Sequence, residues 1–155
     1  TPAAVPLKLV AWLNDPAVNR YLESRFVTHT METQQAYAAA AGGYTAIFDR
    51  KTGCNLIGTV KLEGDDHHKV GTLGYLIGPL YAGRGYATEA VRAVTEWALT
   101  EMGLRYVEAG IYSAHKASRG VLIKAGYHRD RLVFGRYVLD GIECDKCIYR
   151  RWADD

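Results

Sequence analysis

Cysteine is scarce. The chain has three, Cys54, Cys144 and Cys147, among 155 residues. An odd, small number excludes a disulfide scaffold and suits a reducing compartment, so a cytoplasmic protein is expected. Cys144 and Cys147 make a single C-x-x-C, but a zinc site wants a second such pair, and the sequence has none. On a strand, thiols three residues apart point to opposite faces, so no metal site is expected. Long apolar runs are also missing. Nothing approaches the roughly 18 residues that cross a bilayer, which excludes a membrane-spanning helix. The opening, TPAAVPLKLVAWLNDP, lacks a basic n-region and a long apolar h-region, so no signal peptide is expected. It lacks an initiator Met as well, and a trimmed start is expected. Charge of one sign is in short supply: the net value is +2, too small for a nucleic-acid footprint.

What remains is ordinary globular material, with 48% hydrophobic and 23% charged residues. The length favours one domain over residues 1–155. There are no repeats, linkers or low-complexity tracts. PLKLVAWLNDPAVNRYLE reads as two short helical pieces broken at Pro16, with Asn14 or Asp15 as N-cap and Pro16 first in the second piece. Residues 30–43 read as a helix with half a capping box at Thr30 and Thr33, stopped by Gly42–Gly43. YTAIFDRKTGCNLIGTVKLEG reads as a hairpin, and KVGTLGYLIG as a further strand. Between 86 and 101 the residues Ala90, Val91, Val94, Ala98 and Met102 share one helical face, and Gly103 ends the helix. RYVEAGIY is a strand. SRGVLIKAGY is a short helix with Ser118 as N-cap and Gly126 as its stop. A final hairpin turns at Asp140–Gly141. The order α-α-β-β-β-α-β-α-β-β predicts an α+β domain: a mixed sheet with a parallel pair around the 86–101 helix.

The stretch GPLYAGRGYATEAVRAVTEWAL, residues 78–99, carries the chemistry. A glycine-spaced turn opening a helix suits a phosphate. It is not a P-loop, since no Lys-Ser or Lys-Thr follows Gly85. A dinucleotide fingerprint fits only in its first half, because Thr88 stands where the third glycine belongs. The better reading is a pyrophosphate cradle: the free N–H groups of Gly83, Arg84, Gly85, Tyr86, Ala87 and Thr88, helped by the helix dipole. A turn that binds nothing is the alternative at this level.

Together with the downstream S-x-x-x-L-x-K-x-G-Y pattern at 118–127, the loop resembles the GNAT N-acetyltransferase superfamily, most of all its ribosomal-protein N-terminal acetyltransferase-like branch. The resemblance covers residues 56–149, and WLNDPAVNRYL resembles that branch's first helical region. It implies the GNAT fold, a mixed, mostly antiparallel sheet splayed at a central parallel pair. It implies acetyl-CoA as cosubstrate and an amine acceptor as partner, with a homodimer allowed. The pyrophosphate would lie on Gly83–Thr88, and the pantetheine arm along Leu76, Ile77 and Gly78. His115, standing where relatives have Asn, would bond the pantetheine amides. Lys116, Arg119 and Lys124 read first as a solvated basic face, with the adenosine 3′-phosphate as their alternative partner.

The chain departs from the family pattern at four positions. Leu80 precedes the loop in place of Arg or Gln. His115 replaces Asn. Leu122 replaces the tyrosine many relatives use to protonate the leaving thiolate. Thr72 replaces an acid. The N-terminal strand is expected to be short or missing. Ser118 is then the expected proton donor to sulfur, with capping as its structural alternative, and an N–H near Ile77 the expected oxyanion donor. Glu63 leads as general base, over His67, His68, Asp145 or a water chain. Arg20, Tyr21 and Tyr44 are expected on the acceptor side. A non-catalytic acetyl-CoA sensor is the alternative function.

Overall fold

The computed structural model describes residues 5–53 and 55–155. The expectation of a short or missing N-terminal strand lies partly on residues 1–4, which, like Cys54, are outside the described residues. The chain opens with α1 (Leu7–Asn14) and α2 (Pro16–Asn19), divided as expected at Pro16. The Asp15 side chain accepts from the N–H of Ala17, and Pro16 begins α2. A 3-10 turn (Glu23–Phe26) leads to α3 (Met31–Ala40). Its capping box is complete rather than half-formed, because the Thr33 hydroxyl does the work usually given to Glu or Gln. The helix ends at Ala40, ahead of the glycine pair.

Six strands follow in one sheet: β1 (Tyr44–Phe48), β2 (Leu56–Asp65), β3 (Val70–Ile77), β4 (Tyr106–Tyr112), β5 (His128–Leu139) and β6 (Ile142–Trp152). Their spatial order is β1-β2-β3-β4-β6-β5. Every neighbouring pair is antiparallel except β3 and β4, which are parallel and joined through α4 (Tyr86–Thr100). The fold is the expected α+β mixed sheet, with one more helix ahead of the sheet. The β5–β6 turn has Asp140 at φ 53° and Gly141 at φ 77°, the left-handed pair a two-residue hairpin needs.

The two faces of the sheet bury different helices. On one, α4 and α5 (Lys116–Lys124) pack through Val91, Ala98 and Leu122 onto Val60, Val107 and Ile111. All five residues of the predicted α4 stripe join this core. Full burial of a valine such as Val91 contributes about 1.5–3 kcal/mol. On the other face, Leu9 and Leu13 of α1 cover Leu56 and Leu76. The C-terminus of α5 is closed by four hydrogen bonds. The N–H of Gly126 bonds the Ile123 carbonyl, that of Tyr127 bonds Leu122, and Arg92 and Arg151 donate to the carbonyls of Lys124 and Ala125. This anchoring fixes where the first turn of α5 points. No helix among the described residues is long and apolar enough to cross a membrane.

Candidate active site

The parallel pair is short. β3 and β4 register only from Val70–Tyr106 to Thr72–Glu108, yet both strands continue, to Ile77 and Tyr112. Beyond Thr72 they diverge. The direction of the backbone groups in this gap follows from one bond: the N–H of Gly78 donates to the Ile57 carbonyl on the β2 side, 2.8 Å away. Residues alternate in an antiparallel ladder, so the N–H and C=O groups of Tyr75 and Ile77 face the other way, toward β4. A strand edge is thus open for pairing.

The strand hands over to a 3-10 turn (Pro79–Tyr81) and then to the glycine loop. Gly83 and Gly85 sit at φ 73° and 85°, a region that L side chains avoid. A Cβ at either would meet no protein atom within 4 Å. It would project into open space. Gly85 is the N-cap of α4 and offers no side-chain cap, so the first N–H groups of the helix keep their hydrogens for an anion.

These pieces frame a cleft of about 630 Å³. One wall is α2 and the residues just after it, with Val18, Tyr21 and Leu22. The floor is the end of β3, and the far walls are the openings of α4 and α5. Leu76, Ile77, Gly83, Gly85, Tyr86, Ala87, Thr88, His115 and Ser118 are brought together here, as expected. Gly78 and Arg84 are not. A Cβ on Gly78 would run into the Trp12 ring, so this residue packs under α1, and the exposed Arg84 side chain stands outside. Lys116 and Lys124 line the cleft while Arg119 does not, and no carboxylate does among the described residues. The field in the cleft therefore suits a polyanion.

Several expectations need correction. Glu63 lies opposite Thr72 on β2, five positions from Gly58, which faces Ile77. At about 3.3 Å per residue it stands roughly 16 Å along the strand from the level of Ile77, and it pairs with Lys61. His67 and His68 are in the β2–β3 turn, tied to Asp65. Asp145 accepts from the N–H of Gly135. None of these four lines the cleft. Of the acceptor-side residues only Tyr21 does; Arg20 is bound to Asp140 and Tyr44 packs on Tyr37. Leu80 is 77% exposed and takes no part.

Ser118 is not a cap. The helix begins at Lys116, His115 holds the N-cap position without a side-chain cap bond, and Ser118 is the third helical residue. Its hydroxyl meets that of Tyr75 at 2.5 Å. Tyr75 was not anticipated. Its signal was strand alternation, which places it with Leu73 on the α4–α5 face just before the glycine loop. Burial pushes its phenol up to about 12, against a smaller lowering by the bond to Ser118. His115 stacks on Tyr21 with ring centroids 4.3 Å apart, and burial lowers its pKa, favouring the neutral imidazole.

A helix N-terminus entered through glycines, beside a strand edge opened for pairing, defines a cleft for a long phosphate-bearing molecule whose arm runs like a strand. Residues 4–128 match the family model described as "Acetyltransferase (GNAT) domain", and the chain belongs to this family, whose cosubstrate is acetyl-CoA. A curated relative from Bacillus subtilis (strain 168), "Probable N-acetyltransferase YjcK", is 35% identical over 103 residues, 65% of this chain. That match spans 54% of the relative, about half its length. A GNAT-family acetyltransferase from Bacillus anthracis superposes with a TM-score of 0.81 over 94% of this chain and 87% of its own, at 19% identity. Spermidine N-acetyltransferase from Vibrio cholerae, solved with CoA and spermine, gives 0.81 over 95% and 89%, at 15% identity. At these identities the likeness to the solved structures carries the fold.

Proposed function

We propose that this chain transfers the acetyl group of acetyl-CoA to a primary amine by direct attack in a ternary complex. The acceptor is a protein N-terminal α-amine or a small-molecule amine such as an amino sugar. The observation that carries the reading is the meeting, in one cleft, of the uncapped α4 N-terminus and the open edge at Ile77. The amides from Gly85 to Thr88 receive the pyrophosphate. The groups of Tyr75 and Ile77 pair with the pantetheine arm, and the Ile77 N–H supports the oxyanion that develops on the acetyl carbonyl.

The acceptor class follows from what lines the cleft. Among the described residues no carboxylate lines the cleft to strip a proton from a strongly basic amine or to hold a polycation. An α-amine near pKa 8 is about a tenth neutral at pH 7, whereas a lysine amine near 10.4 is neutral only on the order of a thousandth of the time. Holding a neutral amine against the thioester supplies most of the acceleration, and a base adds roughly 10²–10⁴-fold. His115, neutral and stacked on Tyr21 at the acceptor wall, is the residue placed to take that proton.

A panel of N-terminal peptides, amino-sugar nucleotides, aminoglycosides and polyamines, assayed for release of free CoA thiol, tests this. Release that depends on an α-amine or sugar amine is expected. Turnover with polyamines alone would overturn the acceptor class, and tight acetyl-CoA binding without turnover of any amine would make the chain a sensor instead.

A further inference from the structure

Tyr75 and Ser118 stand 43 residues apart in sequence and meet hydroxyl to hydroxyl. A hydroxyl at the third position of a helix can reach back to the backbone N–H of the N-cap residue, as Thr33 does at the start of α3. Ser118 reaches across to the sheet instead, and is only 4% exposed although it lines the cleft. Tyr75 lines it too, two positions along β3 from Ile77, so about 7 Å separates their Cα atoms. The α5 N-terminus, without a side-chain cap, lines the same cleft. Leu122, where the family resemblance puts the proton-donating tyrosine, is 0% exposed and part of the core. It can donate nothing.

Two hydroxyls carry two hydrogens. One lies between the oxygens, and in either direction of that bond the other is left over for a third partner. We propose that Tyr75 and Ser118 act as one two-hydroxyl relay that donates to the CoA sulfur as the thiolate departs. The proposal rests on the cleft being the acetyl-CoA site. The balance is simple. The amine nitrogen forms its bond to the acetyl carbon, the carbon–sulfur bond breaks, and its electron pair stays on sulfur. The relay gives sulfur a proton, and the proton lost by the nitrogen, taken up first by His115, restores the relay. No other reactant is needed. Because the buried phenol titrates only at about 12, the relay stays loaded across the working pH range. A hydrogen bond between hydroxyls strengthens the outer O–H as a donor, which single residues would not match.

A structural pair and a relay differ in what they do to bound thiol. The test is the ionisation of CoA on the enzyme, followed by the ultraviolet absorbance of its thiolate against pH, in the wild type, Tyr75→Phe, Ser118→Ala and the double variant. A hydrogen bond to a developing charge implies that the bound thiol titrates about one pH unit lower in the wild type than in either single variant. Steady-state assays should show kcat down roughly 10–10²-fold in each single variant, with KM for acetyl-CoA within about twofold. The double variant should fall no further than the weaker single, since the two share one function. CoA that binds to all four proteins with the same thiol ionisation would overturn the relay alone, as would kcat losses that multiply. Failure of CoA to bind the wild type by calorimetry would remove the underlying site and the relay with it. Tyr75→Phe deletes one oxygen from a ring otherwise unchanged, so it carries the test even where Ser118→Ala folds poorly.

Discussion

Substituting Gly85 probes the cradle most directly, and two variants separate its two causes. With φ at 85° and open space where a Cβ would go, Gly85→Val suffers backbone strain without any clash in the protein. The left-handed region costs an L-residue about 1–2 kcal/mol, and more for a β-branched one. Gly85→Asn carries a comparable side chain but tolerates that region. Both put atoms where a pyrophosphate must approach the α4 amides. Calorimetry should therefore show acetyl-CoA binding weakened at least tenfold in both, a loss of about 1.4 kcal/mol or more. Only Gly85→Val should also lose thermal stability, by several degrees for a domain of this size. Pantetheine, which lacks the pyrophosphate, should bind the wild type and Gly85→Asn alike. A well-folded Gly85→Asn protein with undiminished acetyl-CoA affinity would refute the cradle, because neither strain nor unfolding could then be masking the effect.

Two further outcomes are expected. The hydroxyls of Thr95 and Tyr127 meet at 2.6 Å in the core, and burial raises the Tyr127 phenol to about 12; Thr95→Val strands that phenol and should cost about 1–3 kcal/mol in urea unfolding. His115 has its pKa lowered by burial. Below the unfolded value near 6.5 the unfolded chain binds a proton that the native state resists. Stability should therefore fall as pH drops through that value toward the lower native one. His115→Gln should remove this part of the slope in unfolding measurements across the range, and an unchanged slope would refute it.

The features read correctly from sequence are those fixed by neighbours along the chain. The α4 stripe at Ala90, Val91, Val94, Ala98 and Met102 is local periodicity. The stops at Gly103 and Gly126, both at positive φ, are local steric facts. The glycine loop running into a helix start is local as well, with Gly83 and Gly85 at positive φ and Gly85 at the N-cap. Ser118 was misplaced because a serine ahead of an apolar run has the look of a cap, while the helix in fact starts two residues earlier behind an uncapped His115. Its partner, Tyr75, is supplied by the sheet, and no spacing in the chain could bring the two together. Glu63 was misassigned for a similar reason. It is an acid at a strand end, but the turn at Asp66–Lys69 sets a register that leaves it at the closed end of the β2–β3 pair. The capping box at Thr30 shows the opposite error, since the motif was read by residue type while Thr33 supplies the same hydrogen bond with a hydroxyl.

The three-residue seam between β3 and β4 divides the sheet into two three-stranded leaves. Continuing the ladder from Thr72 to Ile77 would add backbone bonds between elements that already lie side by side, a cheap route to a tougher protein. It would also shut the edge against any guest. On the proposed function, the cofactor's arm completes the seam that the strands leave open, so that hardening the scaffold there and disabling it would be the same change.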